Sequence, residues 1–255
     1  MPAAAVAVVF GLFGLVIGSF LNVCIYRLPR RESLVWPGSK CTSCLRHLEW
    51  YENIPVVSWL VLRGRCRTCG ASVSVMYPTV ELATAVAFVG SYLVYGIHPL
   101  LFVRIAFACA MIVLFVIDLE HRILPNVITL PGIVAGFLFS LITEPGWMAS
   151  AIGIAAGGGM LLAIAEAYYR IRHEQGLGMG DVKMLAMVGA FLGWKLTLLT
   201  LMLASFSGTL IGLALIVSKR GSMKYALPFG TFLALGAAAA ASFGPALLEW
   251  YLGLM

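Results

Sequence analysis

Charge is scarce in this sequence. Only 11% of its 255 residues are Asp, Glu, Lys or Arg, where a soluble domain of this size carries about a quarter. With 61% hydrophobic residues and a mean hydropathy of +0.98, the chain reads as a set of membrane-spanning helices in a lipid bilayer. A long polar tail is missing at both ends, and no Lys or Arg precedes the first apolar run, "PAAAVAVVFGLFGLVIGSFLNVCIY". That run is too long for a signal-peptide core and lacks its basic flank, so it is read as a retained helix. Acidic residues are fewer than basic ones, leaving a net charge of +6. Such an excess can mark nucleic-acid binding. Here the placement of the basic residues answers to membrane topology instead, and no nucleic-acid partner is expected.

Eight apolar segments are read, at about 2–25, 78–96, 99–118, 126–143, 147–169, 181–193, 195–217 and 225–252. The sixth is short for a span of about 20 residues; it either crosses in part or merges with its neighbour near Gly193 and Trp194. Fifteen of the seventeen Lys and Arg follow the first, third, fifth and seventh segments, with Arg104 and Lys195 the exceptions; Lys219, Arg220 and Lys224 are among the fifteen. Basic loops stay in the cytoplasm, so both termini are expected outside. The expected fold is an all-α polytopic membrane protein with about eight transmembrane helices. Its organisation is a first helix (1–26), a cytoplasmic loop (27–77) and a helical core (78–255).

The loop is too short to bury a large core, and chains of that size usually need a metal or disulfides. It carries "CTSC" and "CRTC": Cys41 and Cys44, then Cys66 and Cys69, with 21 residues between the pairs. Two such pairs complete a tetrahedral thiolate site, for which zinc is the usual occupant. Gly70 follows the second pair, where a tight turn favours it. The alternative is two redox pairs or two disulfides; a cytoplasmic location disfavours disulfides. Four closed ligands leave no position for a catalytic water, so the Zn2+ is expected to be structural. Cys24 and Cys109, inside apolar segments, read as packing residues.

Four acidic residues lie in or beside apolar segments: Glu81, Asp118, Glu166 and Asp181. A carboxylate at the bilayer centre costs about 3 kcal/mol or more, so such groups usually face a polar cavity. Asp118, in "VLFVIDLEHRILPN", ends the third segment, and Asp181 opens the sixth after "GLGMG". Both fall at the cytoplasmic boundary, at one depth. Two carboxylates that meet share a proton, so one activates water while the other protonates a leaving group. Gly176, Gly178 and Gly180 alternate ahead of Asp181 and permit close backbone approach. Two structural readings stay open: Asp181 as a helix N-cap, and Asp118 paired with Arg122 one turn later. Glu166 stands four residues before Arg170 and reads as its partner, Lys183 as a boundary residue, and Glu81 has no evident partner in the sequence.

Five stretches in order resemble the type IV prepilin peptidases, membrane aspartic proteases of the GxGD class. They are "GSFLNVCIYRLP" (18–29), the paired C-x-x-C loop with "NIPVVSWL" (53–60), "YPTVELATA" (77–85), "DLEHRILPN" (118–126) and "GLGMGDVKMLA" (176–186). The resemblance implies catalytic Asp118 and Asp181, supported by Gly178 and Gly180, in the inner membrane of a bacterium. It implies cleavage of the basic leader of prepilins and pseudopilins after a glycine, on the cytoplasmic side. Many members also methylate the new N-terminal amine with S-adenosylmethionine, and the four-cysteine members are typically the bifunctional ones. The methyl-donor site is not placed by any motif; "GIAAGGGM" (153–160) reads as helix packing. Glu81 and Glu120 are candidates for a substrate or second-activity role, Glu120 as an attractor of the basic leader. The competing reading is an ion- or proton-coupled transporter with a zinc-stabilised loop; such proteins often carry repeats, and none is visible. A preflagellin peptidase is the third reading, which the cysteine loop disfavours.

Overall fold

The computed structural model describes residues 3–174, 178–218 and 227–253, apart from the Leu252 side chain. Gly176, Lys219, Arg220 and Lys224 lie outside the described residues. The elements are α1 (Ala3–Arg27), a 3-10 turn (Trp50–Asn53), α2 (Val57–Val61), α3 (Met76–Tyr95), α4 (Pro99–His121), α5 (Asn126–Phe139), α6 (Trp147–Arg172), α7 (Met179–Val217) and α8 (Phe229–Leu252). Six helices, α1, α3, α4, α6, α7 and α8, are long and apolar enough to cross a membrane. The helix α5 has 14 residues, about 21 Å at 1.5 Å per residue, which is short of a hydrocarbon core of about 30 Å.

The sixth and seventh apolar segments join in α7, whose 39 residues are interrupted at Gly193 (φ 74°, ψ 170°). An unbroken helix of that length would run about 58 Å, far beyond the membrane. Only glycine adopts this backbone freely, and a Cβ there would also stand 3.0 Å from the Pro145 side chain. The stretches 179–192 and 194–217, with α5 and the five other long helices, account for all eight apolar segments.

The chain forms two compact units, 1–113 and 114–255, with the boundary inside α4. In the first unit α1 and α3 pack through Gly11, Gly14 and Gly18, spaced to share one helix face. A Cβ on Gly14 would stand 2.6 Å from the Ala85 Cα, and one on Gly18 2.6 Å from the Glu81 Cα. Phe10 stacks on Tyr92, with centroids 5.0 Å apart. The loop after α1 starts at Arg27, which is buried and donates to the carbonyls of Ser33 (2.8 Å), Pro37 (2.6 Å) and Gly38 (3.1 Å).

In the second unit the stretch from Met184 to Gly193 is buried throughout. Hydrophobicity does not drive helices together inside lipid, so small residues that let backbones approach take over. Gly153 and Gly189 face one another so closely that a Cβ on either would strike the other's carbonyl oxygen. Gly157 lies over the Leu185 carbonyl, and Ser150 Oγ donates to the Ala190 carbonyl at 2.9 Å. The "GIAAGGGM" run is thus a helix-packing face, as expected.

Candidate active site and metal centre

Asp118 sits in the last turn of α4 and is 5% exposed. Its Oδ2 accepts two hydrogen bonds from Thr231, the backbone N–H at 2.6 Å and Oγ1 at 3.0 Å. Thr231 belongs to the first turn of α8, whose N-cap is Pro228; first-turn amides have no helical acceptor of their own. Arg122 also acts electrostatically on Asp118.

Asp181 is half-buried in the first turn of α7. The N-cap is Gly178, so Asp181 is not the cap; its N–H donates to the Gly178 carbonyl at 3.1 Å. A backbone hydrogen bond from Gly178 reaches its carboxylate, which also feels the Asp118 carboxylate. Glycine explains how the two approach. A Cβ on Gly180 would lie 3.0 Å from the Leu124 Cβ, and one on Gly230 would lie 2.9 Å from Leu124 Cδ1 and 3.0 Å from Asp118 Oδ2. Leu124 therefore packs against both helix starts, and side chains at 180 or 230 would push them off it. Lys183 Nζ donates to Asn126 Oδ1 at 2.9 Å, joining the start of α7 to that of α5. Together these residues place two carboxylates within mutual influence beside two glycines, an arrangement able to polarise one water between them.

The other acidic candidates lie elsewhere. Glu166 pairs with Arg170 at 2.8 Å on an exposed helix face, as its spacing predicts. Glu120 is nearly half exposed, 3.9 Å from His121 Nε2. Glu81, in the first unit, is 7% exposed and accepts the Val56 N–H at 2.7 Å. Val56 has φ 60°, a conformation that strains a β-branched residue. Asn22 Nδ2 donates to the Tyr77 carbonyl at 3.0 Å. The stretches containing residues 18–22, 54–59 and 77–85 therefore converge around Glu81.

The four Sγ atoms of Cys41, Cys44, Cys66 and Cys69 lie within 4.8 Å of one another, and none is in a disulfide. Cys41 and Cys69 are 3.9 Å apart. Zinc–sulfur bonds of about 2.3 Å in a tetrahedron put sulfurs about 3.8 Å apart, so the donor set fits Zn2+. The two halves repeat one backbone pattern. Cys41 N–H donates to the Arg46 carbonyl (2.9 Å) and Leu45 N–H to the Cys41 carbonyl (3.0 Å); Cys66 and Gly70 do the same with Ala71 (2.8 Å) and Cys66 (3.0 Å). Bridges Lys40–His47 and Arg65–Ser72 close the two turns. Gly70 has φ 71°, as its place after the second pair predicts. Amides of Cys69 and Thr68 draw the Cys66 thiol down to about 6, and those of Cys44 and Ser43 lower Cys41. Both shifts favour the thiolates a metal requires.

Thr231, Gly230 and Leu124 were not singled out by sequence reasoning. The signal was a proline and glycine break opening the last apolar segment, "LPFGTF", with a hydroxyl in its first turn.

Comparison with known proteins covers the same regions. Residues 12–95 match the family described as Bacterial Peptidase A24 N-terminal domain, and residues 105–213 the Type IV leader peptidase family. A prepilin leader peptidase/N-methyltransferase of Aeromonas hydrophila is 35% identical over 266 residues, covering 94% of this chain and 92% of that one. One of Bacillus subtilis is 34% identical over 244 residues, covering 94% and 96%. Another, of Myxococcus xanthus, is 38% identical over 213 residues, covering 83% of this chain and 64% of that longer relative. No solved structure matches the chain significantly. With a carboxylate pair framed by glycines, a four-cysteine loop and two relatives matched along more than nine-tenths of their length, the chain belongs to the type IV leader peptidase family.

Proposed function

We propose that this chain is a membrane aspartic endopeptidase that removes the leader of type IV prepilins and pseudopilins after a glycine, on the cytoplasmic side of a bacterial inner membrane, and then methylates the new N-terminal amine. The observation that carries the peptidase reading is the mutual influence of Asp118, in the last turn of α4, and Asp181, in the first turn of α7, beside the α7 and α8 starts that pack on Leu124. One carboxylate takes a proton from water, whose oxygen attacks the scissile carbonyl; the other protonates the departing amine. Gly178 and Gly180 leave the approach to Asp181 free of side chains, which suits an extended peptide backbone. Glu120, at the exposed end of α4, would meet the basic leader. The relatives' shared name supports the second activity, for which S-adenosylmethionine supplies the methyl group.

Zn2+ held by Cys41, Cys44, Cys66 and Cys69 would staple a loop that cannot bury a core of its own. The distribution of basic residues supports a cytoplasmic loop and active site, with both termini outside. Alkaline phosphatase fused after residue 255 should then be active; an inactive fusion would reject the orientation.

The deciding experiment incubates the protein in membranes with a prepilin and S-adenosylmethionine and weighs the products. The expected product has lost its leader and gained one methyl group. Asp118→Asn and Asp181→Asn should each fold and cleave at least about a hundredfold more slowly. Wild-type cleavage by either variant removes the dyad. In the same assay Glu120→Gln should raise KM for the basic leader, and an unchanged KM removes that contact.

A further inference from the structure

We propose that Thr231 is a positioning residue that sets the charge asymmetry of the aspartate pair: Asp118 is the carboxylate that stays ionised and takes the proton of water, and Asp181 carries the proton given to the leaving amine. This rests on the peptidase reading above and assigns the roles within it.

The geometry is unequal at the two carboxylates. Thr231 places two donors on one oxygen of Asp118, the N–H at 2.6 Å and the hydroxyl at 3.0 Å. The N–H is a first-turn amide of α8, and helix N-termini favour negative charge. Both bonds strengthen when the charge resides on Oδ2. Asp181 also lies in a first turn, that of α7, but among the described residues receives only the Gly178 backbone hydrogen bond. Among the described residues the charged groups facing Asp118 are Arg122 of its own helix and Asp181 of α7; the first turn of α8 contributes Thr231 and no ionisable side chain. The repulsion between the two carboxylates is mutual and favours neither; the positive neighbour and two donors at Asp118, against one donor at Asp181, place the shared proton on Asp181.

The step then balances. Water loses one proton to Asp118, and its oxygen forms a bond to the scissile carbonyl carbon. The carbon–nitrogen bond breaks as Asp181 gives its proton to the amine nitrogen. A proton passing from Asp118 to Asp181 restores the starting state.

The test is the pH dependence of kcat/KM for prepilin cleavage by the full chain in proteoliposomes. The active form holds one proton between the two aspartates, so the profile has an acidic and a basic limb. Thr231→Val removes the hydroxyl and keeps the N–H. It should move the acidic limb up by about one pH unit and leave the basic limb in place, because Asp118 is ionised on both sides of that second step. Thr231→Ser should restore the wild-type profile. Thr231→Ala serves as a second hydroxyl deletion if valine does not fold. An unshifted acidic limb, a shift confined to the basic limb, or failure of serine to restore the profile would each overturn the assignment. Asp118→Asn separates the two levels. If it cleaves normally, the peptidase reading fails. If it is inactive while Thr231→Val keeps the wild-type profile, only the Thr231 assignment fails.

Discussion

Glu81 illustrates how a buried acidic residue can be tied to a distant loop through that loop's backbone. Its carboxylate accepts the N–H of Val56, whose positive φ needs compensation from its surroundings. Deleting an acceptor strands a donor at a cost of about 1–3 kcal/mol. Glu81→Ala should therefore raise the hydrogen-exchange rate of the Val56 amide tenfold or more, while Glu81→Gln, which keeps an acceptor oxygen, should stay near wild type. Equal protection in all three proteins would detach Glu81 from that loop. Arg27 makes the same point with the opposite charge. In the sequence it reads as a topology marker, yet it is buried and gathers three carbonyls of the following loop. A residue that marks the membrane boundary thus also builds the loop beyond it. The aspartates were legible because charge is rare in apolar segments. Thr231 was not, because a threonine in a span carries no such contrast, and its partner lies 113 positions away. Glu81 stood out as a buried charge, but the Val56 bond depends on backbone geometry 25 residues upstream.

At the level of elements, glycine sets how closely the second unit packs. Gly153 and Gly189 oppose each other across α6 and α7, whereas nothing lies within 4 Å of where a Gly159 Cβ would be. Gly153→Ala should destabilise the protein by about 1–3 kcal/mol or more, read as a lower melting temperature in detergent. Gly159→Ala, on the same helix, should melt within about 0.5 kcal/mol of wild type. If the two variants melt alike, the close crossing is not what holds these helices. The apolar segments were legible from hydropathy alone. The course of α7 was only half legible: the sequence offers a short span or a merger near Gly193, and choosing needs the φ of 74° at that glycine. Asp181 could be read as an N-cap, but the helix begins at Gly178, because a glycine-rich start leaves the first turn's position undetermined until Leu124 packs against it.

For the whole molecule, composition pointed to the membrane and spacing to the metal. The clustering of the cysteine pairs was legible; their kinship was not. The two turns share backbone hydrogen bonds at positions 25 apart, yet outside the cysteines little in their sequences matches, since carbonyl and amide groups are common to every residue. Purified protein should carry about one zinc per chain, in line with one closed four-thiolate site. Chelation should leave far-ultraviolet circular dichroism nearly unchanged, because the helices hold most of the ordered backbone. Less than about half a zinc per chain, with four reactive thiols, would reject the structural site.

The paired turns have a topological consequence. A metal shared between them would close residues 45–65 into a ring, and such closure limits the conformations open to the enclosed chain. Val56 lies on that ring and is fastened to Glu81, so the segment would be secured at both ends and also near its middle. Metal loss should free the two arms while the middle stays attached. In hydrogen exchange, residues flanking the cysteines should lose protection first and the Val56 amide last. Two holds with different chemistry then keep one short segment in place: thiolates that release in chelator, and a carboxylate that does not.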